Sequence, residues 1–149
     1  PQIFLGLTFS WAVPTAWSSA NEEWNFGILM MYIATVFWII GYDTIYGCQD
    51  KNEDEVLGIK NSAVSAQKFL SVFVGSSYFI TFLLLLFSGY LLNANYIWFI
   101  GVFLCGFHYV SQVVKLKNLE NNNPLKIFKS NVTPGLILTA SALSSYLTF

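Results

Sequence analysis

Apolar and polar positions follow one another along this chain in long blocks. Apolar runs occupy about residues 2–19, 25–42, 69–92, 96–114 and 132 to the end, with short polar connections between them. Each run is close to the ~20 residues one helix needs to cross a bilayer. A segment in lipid must also satisfy its own backbone hydrogen bonds, which a helix does. The pattern predicts an all-α, polytopic membrane helix bundle of about five transmembrane helices. Pro14 lies inside the first run, where its missing N–H and its ring predict a kink. Pro134 and Gly135 open the fifth run, and proline in a first helical turn is compatible with a helix. The link at Asn93, Ala94 and Asn95 is short enough to force the third and fourth helices antiparallel. Trp24 is placed to anchor at headgroup level.

Charge adds an orientation. All seven basic residues are lysines, at 51, 60, 68, 115, 117, 126 and 129, in the connections after the second and fourth runs. The positive-inside rule places both connections and the N-terminal end in the cytoplasm, with the C-terminal end outside. Composition agrees with a lipid bilayer as the surroundings, since 55% of residues are hydrophobic and 10% charged. The net charge of −1 leaves no basic surface, which argues against nucleic acid as a partner. Cys48 and Cys105 form no Cys-x-x-Cys pair and are expected to be packing thiols. The chain starts at Pro1 with no basic segment before its first apolar run, so that run does not have the form of a signal peptide. The expectation is a fragment of a longer protein.

The chemistry is concentrated in one window, residues 41–63, which holds five of the eight acidic residues. If the second helix continues through it, Asp43, Asp50 and Asp54 fall at i, i+7 and i+11 and share one face. Three carboxylates on one face call for a cation, and carboxylates at the mouth of a membrane are usually functional. The plainest alternative is a solvated acidic connection. An EF-hand loop starting at Asp50 fails, because its sixth position is Glu55 instead of Gly and its twelfth is Asn61 instead of Glu.

The string Tyr42-Asp-Thr-Ile-Tyr-Gly-Cys-Gln-Asp50 with Asp54, followed by Gly58-Ile-Lys-Asn-Ser-Ala63, resembles the second aspartate-rich motif of the UbiA-type intramembrane aromatic prenyltransferases. Within them it is most similar to the 4-hydroxybenzoate polyprenyltransferases of ubiquinone biosynthesis. Gly47 stands where Ala is common and Asn61 where Ser is common. The family's first Asn/Asp-rich motif, carried on an earlier helix, is not in these residues.

The resemblance implies that residues 1–149 are the C-terminal portion of a single transmembrane prenyltransferase domain of about nine helices. It also implies that Asp43, Asp50 and Asp54 are catalytic, with Asp50 and Asp54 holding Mg²⁺ and Tyr46 and Lys60 binding diphosphate. Polyprenyl diphosphate and 4-hydroxybenzoate are then the substrates. The location is a bacterial or mitochondrial inner membrane with the motif on the cytoplasmic side, and the chain is expected to be inactive alone. A menaquinone- or haem-pathway prenyltransferase is the alternative within the superfamily. A cation transporter would bury charges near the midplane, whereas here they cluster at one mouth. A scaffold protein would keep the motif only as a remnant.

Three smaller signals carry a plainer expectation. His108 is expected to be a neutral residue in a helix–helix hydrogen bond, with Gln112 one turn away extending the polar stripe. Asn131-Val-Thr133 has the form of a glycosylation acceptor but borders a connection assigned to the cytoplasm, so that reading is rejected. Gly101, Cys105 and Gly106 offer small surfaces for close helix packing.

Overall fold

The computed structural model describes residues 2–20, 23–48, 69–119 and 122–147. These residues form helices and turns, with no strand among them. In chain order the helices are α1 (Gln2–Phe9), α2 (Ala12–Ser19), α3 (Phe26–Tyr46), α4 (Leu70–Leu91), α5 (Tyr96–Lys117), α6 (Pro124–Lys129) and α7 (Val132–Leu147).

Helices α3, α4 and α5 are long and apolar enough to cross a membrane. The expected first span is instead two eight-residue helices broken at Ser10 and Trp11. Pro14 explains the position of the break, because it cannot donate to the carbonyl of Ser10, four residues earlier, and its ring crowds that carbonyl. The Val13 N–H closes on Ser10 instead, at 3.0 Å. Helix α7 has 16 residues, about 24 Å at 1.5 Å per residue, which is short of the ~30 Å hydrocarbon core.

Local signals fix the other ends. Asn25 caps α3 by accepting from the Ile28 N–H at 3.1 Å, and Asn95 caps α5 from the Ile97 N–H at 2.9 Å. Asn123 caps α6, accepting from Leu125 N–H at 2.8 Å, with Pro124 opening the helix. Helix α4 stops on a Schellman turn: Ala94 N–H bonds to Gly89 O at 2.9 Å and Asn93 N–H to Tyr90 O at 3.2 Å. Asn93 supplies the left-handed residue, at φ 51°, which Asn tolerates better than most. That turn makes α4 and α5 antiparallel, as the short link predicts.

Small residues let the helices approach. Along the α3/α4 seam, Ser88 Oγ donates to Gly27 O at 2.8 Å and Thr81 Oγ1 to Ala34 O at 3.2 Å. The Tyr78 ring fills the space beside Gly41. Trp98 covers Gly89 and donates from its indole to Leu85 O at 3.1 Å. On the far side Ser141 of α7 packs on Gly101 of α5. Cys105 is buried against Pro134, so it is the packing thiol expected of it. Gly6 brings α1 against Val36 and Ile40 of α3. These antiparallel pairs gather the end of α3, the start of α4, the end of α5, α6 and the start of α7 at one end of the bundle. Lys115, Lys117, Lys126 and Lys129 lie there.

Candidate functional site

Asp43 sits in the last turn of α3, at this lysine-bearing end. It lines a cleft of about 240 Å³ with Leu5 and Phe9 of α1, Tyr42 and Tyr46 of α3, and Phe128 of α6. Phe128 forms the wall opposite the tyrosines, its ring 5.7 Å from Tyr42 and 5.0 Å from Tyr46. Tyr42 meets the edge of Trp38 at 5.9 Å. A carboxylate in a last turn faces the negative end of its own helix, which is unfavourable by ~0.3–1 kcal/mol unless a cation is near. Asp43 thus adds a carboxylate at the carbonyl end of α3, beside an aromatic cleft. Among the described residues no group of three or more His, Cys, Asp or Glu side chains comes together to hold a metal, and Asp43 offers a single hard oxygen donor of the kind Mg²⁺ takes.

The other expected site residues, Asp50, Asp54 and Lys60, lie outside the described residues. Tyr46 is described, and it stands one turn from Asp43 on the rim of the same cleft. The shared face of Asp43, Asp50 and Asp54 was expected only if the helix continues through all three, and among the described residues it does not continue past Tyr46. Helix α3 ends at Tyr46, and Cys48 N–H folds back to Ile45 O at 3.1 Å in a tightened turn. Gly47 at this position weakens helix continuation by ~1 kcal/mol relative to Ala. The helical period therefore does not run unbroken from Asp43 to Asp54, and the spacing argument for a shared face lapses at Tyr46.

Behind the cleft lies a buried polar cluster. Trp38 Nε1 donates to Asn131 Oδ1 at 3.0 Å, and Asn131 Nδ2 donates to Phe128 O at 3.1 Å. Tyr78 donates its hydroxyl to Gln112 Oε1 at 2.6 Å, with Asn131 Oδ1 a further 3.4 Å contact. Gln112 Nε2 reaches Ser130 Oγ at 2.9 Å and Ile127 O at 3.2 Å, and lies 3.1 Å from His108 Nε2. His108 is 3.2 Å from Ser130 Oγ, so it does hydrogen-bond to the segment before α7. The cluster ties α3, α4 and α5 to the α6–α7 corner, and through Phe128 it holds one wall of the Asp43 cleft. The sequence pattern points to His108 and Gln112, and to Asn131 only through the form of a glycosylation acceptor. A usable signal was its position, an uncharged polar residue at the mouth of an apolar run, where burial requires partners.

The described residues thus form an apolar helix bundle with a carboxylate in an aromatic cleft at one end. The chain belongs to the UbiA prenyltransferase family, which it matches over residues 1–132. Among curated proteins it is similar to the 4-hydroxybenzoate octaprenyltransferase of Serratia proteamaculans (strain 568), 30% identical over 146 residues, covering 98% of this chain and 50% of that protein. The 4-hydroxybenzoate octaprenyltransferase of Francisella tularensis subsp. mediasiatica (strain FSC147) is 32% identical over 147 residues, 99% of this chain and 52% of that protein. The protein of the same description from Psychromonas ingrahamii (strain DSM 17664 / CCUG 51855 / 37) is 28% identical over 147 residues, 99% of this chain and 51% of that protein. The chain spans about half the length of these curated relatives. No solved structure matches it.

Proposed function

We infer that this chain is the C-terminal part of a membrane prenyltransferase domain that transfers a polyprenyl group from polyprenyl diphosphate to 4-hydroxybenzoate, in ubiquinone biosynthesis. The observation that carries the reading is the agreement of the aspartate motif at 42–63 with a family match over residues 1–132. Asp50 and Asp54 hold Mg²⁺, Asp43 supports the same site from the end of α3, and Tyr46 and Lys60 contact the diphosphate. Magnesium, when bound, stabilises the charge that develops on diphosphate as the allylic C–O bond breaks. The acceptor's ring carbon ortho to the hydroxyl bonds to the allylic carbon, diphosphate leaves with the electron pair of the broken C–O bond, and the proton on that ring carbon passes to water or the departing diphosphate, giving 3-polyprenyl-4-hydroxybenzoate.

The aromatic wall of Tyr42, Tyr46 and Phe128 presents π-faces to an allylic cation, which such faces attract, while the apolar cleft limits water. The donor's long tail dissolves in the bilayer and approaches from the side. The site faces the cytoplasm of a bacterial cell, or the matrix side of a mitochondrial inner membrane. This portion alone lacks the family's first aspartate motif and does not complete the reaction.

The test is an acceptor panel, in membranes from a host deleted for its own enzyme that hold this chain with the complementary half of a relative. Labelled 4-hydroxybenzoate should be prenylated with Mg²⁺ and not with EDTA. Prenylation of a dihydroxynaphthoate but not of 4-hydroxybenzoate would move the chain to the menaquinone branch and overturn the acceptor assignment.

A further inference from the structure

A second cavity lies away from the Asp43 cleft and shares no lining residue with it. It is a groove of about 590 Å³ between α4 and α5, within the ~300–1,000 Å³ range of small-molecule sites. Gly75 and Gly106 open it by contributing no side chain, and the stacked rings of Tyr78 and Tyr109, 4.6 Å apart, form part of its floor. Along α5 it runs from Phe103 to Lys117, which at 1.5 Å per residue is about 21 Å. Half of a ~30 Å hydrocarbon core is ~15 Å, so the groove reaches from the lysine-bearing end to the bilayer midplane.

The shape of the rim decides what can lie there. Phe79, Phe103, Phe107 and Val110 stand out from the two helices, 53–74% exposed. These bulky side chains flank a channel in which Gly75 and Gly106 leave space along the two helices. A single flexible hydrocarbon chain can pass between them. At the end of the groove Lys117 supplies a cation, with Lys115 in the same last turn. Basic positions at the ends of grooves between membrane helices bind anionic headgroups.

We propose that the α4/α5 groove is a binding site for one anionic membrane phospholipid, an acyl chain lying along Gly75 and Gly106 and the headgroup phosphate at Lys117. The site is independent of the prenyl-transfer reading.

The experiment uses the full chain in nanodiscs containing phosphatidylglycerol or phosphatidylcholine spin-labelled near the chain end. A motion-restricted component should favour phosphatidylglycerol by about fivefold, the ratio expected of one lysine at a membrane surface. Lys117→Gln, at the exposed end of α5, should bring that ratio close to one. Gly75→Leu fills the groove, and its Cβ meets Val113 only at an ordinary 3.6 Å, so it should remove the selective component while circular dichroism stays unchanged. Equal affinity for the two lipids, or selectivity untouched by Lys117→Gln, would overturn the proposal. So would release of the label when the complementary half of a relative is added, which would give the groove to a protein helix. Displacement by a polyprenyl diphosphate at concentrations where phosphatidylglycerol fails to compete would give it to the prenyl donor and equally overturn the lipid assignment.

Discussion

The hydrogen bond between Tyr78 and Gln112 is the tightest link between α4 and α5, and its worth can be separated from the rest of the buried cluster. The two side chains are 2% and 1% exposed and meet at 2.6 Å. Gln112→Leu leaves the Tyr78 hydroxyl with only the 3.4 Å contact to Asn131, and Tyr78→Phe leaves Gln112 Oε1 without its donor. Each single change should cost ~1–3 kcal/mol, the price of one orphaned buried polar group. Ile127 O keeps the Ser130 hydroxyl at 2.7 Å, so it is not orphaned by the loss of Gln112.

The double variant removes both partners at once and should cost less than the sum. Side-chain hydrogen bonds inside membranes average ~0.6 kcal/mol of coupling with a maximum near 1.7, and a short pair with both ends buried belongs in the upper part of that range. The expected coupling is about 1 kcal/mol. Equilibrium unfolding in mixed micelles, titrated with dodecyl sulfate and followed by circular dichroism, gives the four free energies. Thr139→Val combined with Tyr78→Phe serves as control, since Thr139 shares no partner with Tyr78. Additivity of Tyr78→Phe and Gln112→Leu within ~0.3 kcal/mol, the scatter of independent sites, would refute the reasoning.

Gly41→Leu should destabilise the bundle by ~1–3 kcal/mol through overpacking against the Tyr78 ring, measured by the same unfolding titration. In an assembled enzyme, Asp50→Asn and Asp54→Asn should each lower prenyl transfer by ~10²–10³-fold, the scale of losing one pre-placed electrostatic stabiliser. Asp43→Asn should also be severe, whereas Glu53→Gln and Glu55→Gln, outside the motif's aspartate positions, should be mild; an equal loss at Glu53 and Asp50 in a product assay would count against the metal assignment. A reporter fused after Phe149 should face away from the cytoplasm, with the 16-residue α7 crossing through local thinning of the bilayer, because the positive-inside rule assigns the seven lysines to the opposite side, and protease protection of intact cells checks it.

The bundle was legible in the sequence because lipid imposes long apolar runs and tight turns impose neighbours; the link from Asn93 to Asn95 is too short for any but an antiparallel α4/α5 pair. The break in the first run was legible in kind, through Pro14, but its place was not, because the constraint acts on the carbonyl of Ser10 one turn upstream. The end of α3 was misplaced: apolarity fades at Tyr42, but the helix continues until Gly47, carrying Asp43 into the last turn. The end at Tyr46 sets Asp43 in the last turn of the helix and interrupts the period that, in a helix continuing through residue 54, would have aligned it with Asp50 and Asp54. Periodicity along one helix placed Gln112 beside His108. The contacts of Asn131 with Trp38, 93 positions away, depend on how α7 packs across the bundle, which no local pattern reports.

The account's central claim is that these residues carry the second of two carboxylate sets that together hold a prenyl diphosphate. Positioning of reactants can supply ~7–11 kcal/mol of a barrier, and one set cannot fix a diphosphate that presents charge on several sides. The most direct measurement is Mg²⁺-dependent conversion of labelled 4-hydroxybenzoate in membranes of an enzyme-deleted host carrying this chain, the complementary half of an octaprenyltransferase relative, or both. The account predicts product only when both are present, and its loss when this chain carries Asp50→Asn. Robust product from this chain alone, or product from the assembled halves that is indifferent to Asp50→Asn, would contradict it.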